Sequence, residues 1–248
     1  MLTLDFDRLG LSDGSRLLDL GCGDGRHVRA TRVRPGIAAV ALDLGGREVT
    51  TTRASLDDMD SDTPSFVGAA DGAGPWLVVR GDTFRLPFPD HSFDCVIAAE
   101  ILEHLDDDEA ALAEIRRVLK PAGTLGVSVP RFGPEVVCWA LSHAYRNSPG
   151  GHVRIYRRGQ LRRKLQRHGF AVFDHHFAHA LHAPFWWLKC AIGLERSDHP
   201  LVESYHRLLV RDLFERPWST RTAERLLNPV IGKSEVFYAR ADRCADAA

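Results

Sequence analysis

Lysine and methionine are nearly missing from this 248-residue chain, which has four lysines and two methionines but 32 basic residues in all. The arginine surplus is a matter of codon choice rather than mechanism. Cysteine is sparse too: Cys22, Cys95, Cys138, Cys190 and Cys244 are odd in number, scattered, and never spaced as CxxC. That argues against a thiolate zinc site or a disulfide framework. No charge of one sign dominates, because the net charge is −1, so nothing marks the whole protein for nucleic acid or an acidic membrane. No apolar run is long enough for a transmembrane segment, and Met1-Leu2-Thr3-Leu4-Asp5 does not read as a signal peptide. The expectation is a cytoplasmic chain in a reducing compartment, long enough to bury the core of one domain.

What is present begins at Leu17-Leu18-Asp19-Leu20-Gly21-Cys22-Gly23-Asp24-Gly25. An apolar run ends in a carboxylate, and glycines follow at every second position. The order reads as a buried strand delivering a side-chain-free turn onto a helix, where open α/β sheets bind ligands. A dinucleotide fingerprint, GxGxxG, needs its third glycine where Arg26 stands. Pyrophosphate also favours an uncluttered helix start, whereas Asp19 and Asp24 suit a cationic ligand. A second apolar run, Val40-Ala41-Leu42, ends in Asp43, placed to accept ribose hydroxyls. That spacing suits NAD equally well, so Asp43 does not discriminate.

The third segment, Gly81-Asp82-Thr83-Phe84-Arg85-Leu86-Pro87-Phe88-Pro89-Asp90-His91-Ser92-Phe93-Asp94, does discriminate. With the glycine loop it resembles the class I S-adenosylmethionine-dependent methyltransferases, in the small-molecule branch that includes ubiquinone and menaquinone biosynthesis. The resemblance implies a Rossmann-like, seven-stranded α/β sheet, mostly parallel, with one antiparallel strand near the edge and helices on both faces. It implies a helical insertion between the last two strands. It also implies S-adenosylmethionine as cofactor, held by Asp19, Gly21, Gly23, Asp43, Leu44, Asp82, Thr83, Ala99 and Glu100.

Alternating patterns predict strands near 16–20, 38–43, 77–81, 94–99 and 124–129, then at 171–173 and 235–239. A helix opens after Asp106-Asp107-Asp108, with Leu112, Ile115 and Leu119 on one face, and another covers about 158–168. One domain over 1–248 is expected, with 131–157 and 181–229 as substrate-cap insertions and 60–75 as a surface loop. In the insertion, His179-Ala180-Leu181-His182-Ala183-Pro184-Phe185-Trp186-Trp187 reads first as packing and second as a pocket wall. The basic run Arg154–Arg167 reads first as a solvated helix face.

Glu100-Ile101-Leu102-Glu103-His104 and Gly150-Gly151-His152 resemble the metal site of ubiquinone-biosynthesis and small-RNA methyltransferases. The resemblance implies Glu100, Glu103, His104 and His152 as ligands of Mg²⁺ or Mn²⁺. The plain reading has these acids bonding backbone amides and His104 lining the pocket. A hydroxyl nucleophile needs a base, for which the resemblance implies His104 and His152 as best placed, with His143, His179 and His182 weaker. The expected acceptor is small or lipid-like, with O-methylation first and nucleic acid disfavoured. Peripheral membrane contact stays open. The rival functions are an NAD-dependent oxidoreductase, a non-catalytic binding subunit and, within enzymes, an RNA methyltransferase.

Overall fold

The computed structural model describes residues 2–62, 67–148, 150–215 and 217–243; Cys244 and residues 63–66 of the expected loop lie outside the described residues. Seven strands form one sheet: β1 (Arg16–Leu20), β2 (Ala38–Asp43), β3 (Trp76–Arg80), β4 (Phe93–Ala99), β5 (Leu119–Pro130), β6 (Phe170–Ala178) and β7 (Ser234–Ala241). They lie in the order β3-β2-β1-β4-β5-β7-β6, and only β7 runs antiparallel to its neighbours. Helices α1 (Arg26–Arg32), α2 (Gly46–Met59), α3 (Asp108–Val118), α4 (Phe132–Leu141), α5 (His143–Arg146), α6 (Gln160–Arg167), α7 (His182–Ile192), α8 (Pro200–Glu215) and α9 (Trp218–Ile231) cover and crown it.

The central strands are apolar at nearly every position because both faces are covered. Leu18, Leu20, Val96, Val127 and Ile115 fill one side of the sheet; Leu17, Ile97, Leu4 and Leu9 fill the other. Strand order reverses between β1 and β4, so the loops at their carboxyl ends splay apart into a crevice.

Helix α3 is capped by Asp107, whose side chain accepts from the Ala110 amide at 3.0 Å. It ends at Val118, and Leu119, expected on its apolar face, already starts β5, pairing with Phe93. Pro121 is the reason: the residue before a proline is pushed toward extended backbone, so the helix cannot reach it. Much of the expected loop at 60–75 is pinned rather than loose. Arg32 pairs with Asp60, the Ala69 amide donates to Met59, and that of Ala70 donates to Arg32.

Three members of the basic run are structural. Arg154 donates to the Leu102, Leu105 and Asp106 carbonyls, Lys164 pairs with Asp108 and Glu109, and Arg167 with Glu109. The two expected insertions carry α4 and α5, and α7, α8 and α9, respectively.

Candidate active site

The glycine loop turns because three residues take left-handed backbone: Gly21, Gly23 and Gly25 have φ of 66°, 52° and 76°. A Cβ at Gly21 would strike Ile101, and one at Gly25 would strike Thr52, but one at Gly23 would meet nothing within 4 Å. Gly23 therefore leaves the space over the loop open. The Gly21 and Cys22 amides donate to the Leu42 carbonyl at 2.8 and 3.1 Å, tying the loop to β2. At the end of β2, Asp43 accepts from the Gly23 amide through Oδ2 and from the Gly45 amide through Oδ1, both at 2.9 Å. Leu44 beside it is exposed.

Asp19 lies beneath the loop, 1% exposed, and its Oδ2 accepts from the Val28 amide at 3.0 Å. It braces the start of α1 from below. Burial raises its carboxyl to about 7. His27 sits 4.0 Å away, but burial lowers it to about 3, so the pair is no salt bridge near neutrality. At the carboxyl end of β3, Asp82 is exposed and accepts from the Phe84 amide at 2.9 Å, while Thr83 is buried. At the end of β4, Ala99 is buried and Glu100 has a left-handed φ of 55°. All nine expected cofactor residues thus lie along the carboxyl edge of β1 to β4.

Beyond Glu100, a short 3-10 turn carries Glu103 and His104 to the segment that holds His152. The His104 and His152 rings meet edge to face with centroids 5.0 Å apart. His104 Nδ1 faces the Gly150 and Gly151 carbonyls at 3.0 and 3.2 Å, so it carries the proton and Nε2 keeps the lone pair. Burial, then neighbouring His152, hold its pKa below the ordinary histidine value. His152 Nδ1 donates to Glu135 Oε1 at 2.6 Å. Glu135 is buried on α4; burial raises its pKa, but the His152 contacts lead a larger opposing effect and leave it lowered.

Glu103 is fully buried, and neither carboxylate oxygen has a hydrogen-bond partner. Burial, with Glu100 nearby, raises its pKa strongly. Glu103, His104 and His152 offer ligand atoms within 4.8 Å of one another. Glu100 is not in that group. Its left-handed backbone turns it toward a cavity of about 410 Å³ that Phe185, Trp186, Leu213 and Lys233 also line.

Residues 18–127 match the family described as "Methyltransferase domain". Residues 18–127 thus carry a methyltransferase domain. It is 32% identical over 149 residues to the sterol 24-C-methyltransferase erg6 of Aspergillus fumigatus, covering 60% of this chain and 34% of that one. It is 32% identical over 121 residues to the O-methyltransferase resE of Aspergillus sclerotiorum, covering 49% and 42%. The chain thus spans under half the length of these relatives. A solved S-adenosylmethionine-dependent methyltransferase from Aquifex aeolicus superposes with a TM-score of 0.55 at 15% identity, over 94% of this chain and 86% of that one, which is a likeness of fold.

Of the four expected metal ligands, Glu103, His104 and His152 lie together and Glu100 lies outside their cluster; His143, a weaker candidate base, is exposed and bonded to Asn147. Glu135 was not anticipated; its one signal is that it is the only charge in the apolar helix Phe132–Leu141. Tyr145 extends the site, its ring 6.1 Å from that of His152 and 5.7 Å from that of Trp186.

Proposed function

We propose that this protein transfers a methyl group from S-adenosylmethionine to a hydroxyl of a small or lipid-like acceptor. The observation that carries O-methylation is the His104 imidazole, with Nδ1 tied to two carbonyls and Nε2 left as a base. S-adenosylmethionine, when bound, supplies an electrophilic methyl group on a sulfonium. The cradle suits it: Gly23 leaves room, and Asp43 and Asp82 offer carboxylates to ribose and adenine. With acceptor and cofactor bound, His104 Nε2 would take the proton of the acceptor hydroxyl, and His152, held by Glu135, orders the ring beside it. Phe185, Trp186, Leu209, Val210 and Leu213 line the cavity, exclude water and select an acceptor with an apolar part.

In an alternative that takes the place of the base role of His104, the orphaned Glu103 carboxylate and the two imidazoles would hold a divalent cation, Mn²⁺ better than Mg²⁺ for a donor set rich in nitrogen. Such an ion would lower the pKa of a bound hydroxyl. The test is a panel of hydroxylated and alkene acceptors, with the methylated atom identified by NMR. His104→Ala is expected to cut kcat by about 100-fold, the scale of a lost general base, with cofactor affinity unchanged. Methyl groups on carbon, or full activity in the variant, would overturn O-methylation by His104. Mn²⁺ restoring activity lost to EDTA is the outcome expected of the Glu103 site; indifference to EDTA would remove the ion.

A further inference from the structure

A second cluster lies away from Glu103, where β6 gives way to α7. His179 closes the strand in a left-handed conformation, φ 64°, uncommon for a residue with a side chain. One turn later His182 opens α7, its ring centroid 5.4 Å from that of His179. Helix α9 supplies the third member. Asn228 accepts from the Ala180 amide at 2.9 Å, which docks that face of α9 on the His179–His182 turn. Glu224 stands four residues earlier on the same face and so meets the two histidines. Ligand atoms of all three lie within 4.8 Å of one another, against about 3.3 Å between ligands of tetrahedral zinc, a closure that side-chain rotation supplies.

Two polar atoms here have no partner: His182 Nδ1 and Glu224 Oε1 are both buried and bonded to nothing. Unmade hydrogen bonds of this kind call for an explanation, and a cation held between the two atoms would satisfy both. His179 Nε2 lies 3.2 Å from Thr3 Oγ1, the sort of second contact that orients a ligating imidazole. Buried Asp212, on α8, adds negative charge felt by His182, opposing part of the effect of Lys233. Burial keeps both histidines uncharged near neutrality, His182 at about 4, the form that binds metal.

We propose that His179, His182 and Glu224 form a second metal site, for zinc or a like transition-metal dication, that fastens α9 to the β6–α7 turn. Two imidazoles and one carboxylate form a three-ligand zinc set that leaves a fourth position open. Both histidines line the cavity that Glu100 also lines, so the fourth position is available to an acceptor oxygen. The site does not depend on methyl transfer, and its test does not use activity.

The test is Zn²⁺ titration of the full chain, with metal content by mass spectrometry, Co²⁺ absorption and thermal melting as readouts. The protein carries two candidate sites, so Glu224→Gln and His182→Gln are compared with Glu103→Gln and His152→Gln. The expected result is tetrahedral Co²⁺ bands and a Zn²⁺-dependent rise in melting temperature. Both persist in the Glu103 and His152 variants and weaken by tenfold or more in affinity in the Glu224 and His182 variants. Glu224→Asp, which keeps the carboxylate, restores part of the affinity and guards against misfolding as the cause. Wild-type chain without Zn²⁺ binding, or binding unaltered by Glu224→Gln and His182→Gln, would overturn the proposal.

Discussion

At the scale of single residues, the site is governed by carboxylates and imidazoles held out of water. Asp19 is the clearest case. Its pKa of about 7 arises from burial, which disfavours the charged form, partly opposed by the Val28 amide. A cation bound over the glycine loop favours the anion and returns the carboxyl toward its ordinary range. Near pH 7 the free protein holds roughly half a proton on Asp19, so binding S-adenosylmethionine is expected to release up to about half a proton. The sign follows: affinity rises as pH increases from 6 to 8, because the anion is already formed. S-adenosylhomocysteine lacks the sulfonium and should release less. Calorimetry in two buffers of different ionisation heat reads the release directly, and equal heats after correction for binding would reject it.

At the scale of the element, a left-handed glycine has two separable functions, turning the chain and leaving room. Gly14 and Gly23 have φ of 79° and 52°, and a Cβ at either meets no protein atom within 4 Å. Alanine at each costs about 1–2 kcal/mol of backbone strain. Gly14 sits before β1, away from the ligand edge, so Gly14→Ala should lower the melting temperature alone. Gly23→Ala should lower it similarly and also weaken S-adenosylmethionine by at least about tenfold, since its Cβ projects into the cradle. Similar affinity in both variants would show that Gly23 faces no ligand. The same loop explains what the sequence disclosed. Parallel strands read as unbroken apolar runs, even β3 where Leu77 is half exposed, and glycines at alternate positions have few other uses, so β1 to β4 and their loops were legible. Leu119 misled because its spacing from Leu112 and Ile115 continues a helical period, while Pro121, nearby, overrides it. Glu135 escaped because its role depends on His152, 17 residues away, and no local pattern records that contact. The His179–Glu224 juxtaposition is likewise set by docking of α9, not by spacing.

At the scale of the whole molecule, the sheet and its crown divide the labour. Strands β1 to β4 carry the edge proposed for the cofactor, whereas α7 and α8, which insert between β6 and β7, line the cavity proposed for the acceptor. Trp186 is the residue that joins them. Its ring packs near Tyr145, which reaches His152, and Lys233 at the start of β7 lies 5.8 Å over it. Removing that ring enlarges the cavity and loosens the crown without touching the glycine loop, Asp43 or Asp82. Trp186→Ala is therefore expected to raise the acceptor KM by about 10-fold, the scale of about 1.4 kcal/mol for a half-buried aromatic, with cofactor Kd unchanged. Shortening the apolar part of the acceptor should then matter less in the variant than in the wild type, because the contact it would lose is already gone. Steady-state kinetics with acceptors of graded chain length, beside calorimetry with S-adenosylhomocysteine, separates the two halves. A variant that lost cofactor affinity as much as acceptor affinity would mean that the crown shapes the cofactor edge as well. The division between sheet and insertion would then have to be abandoned.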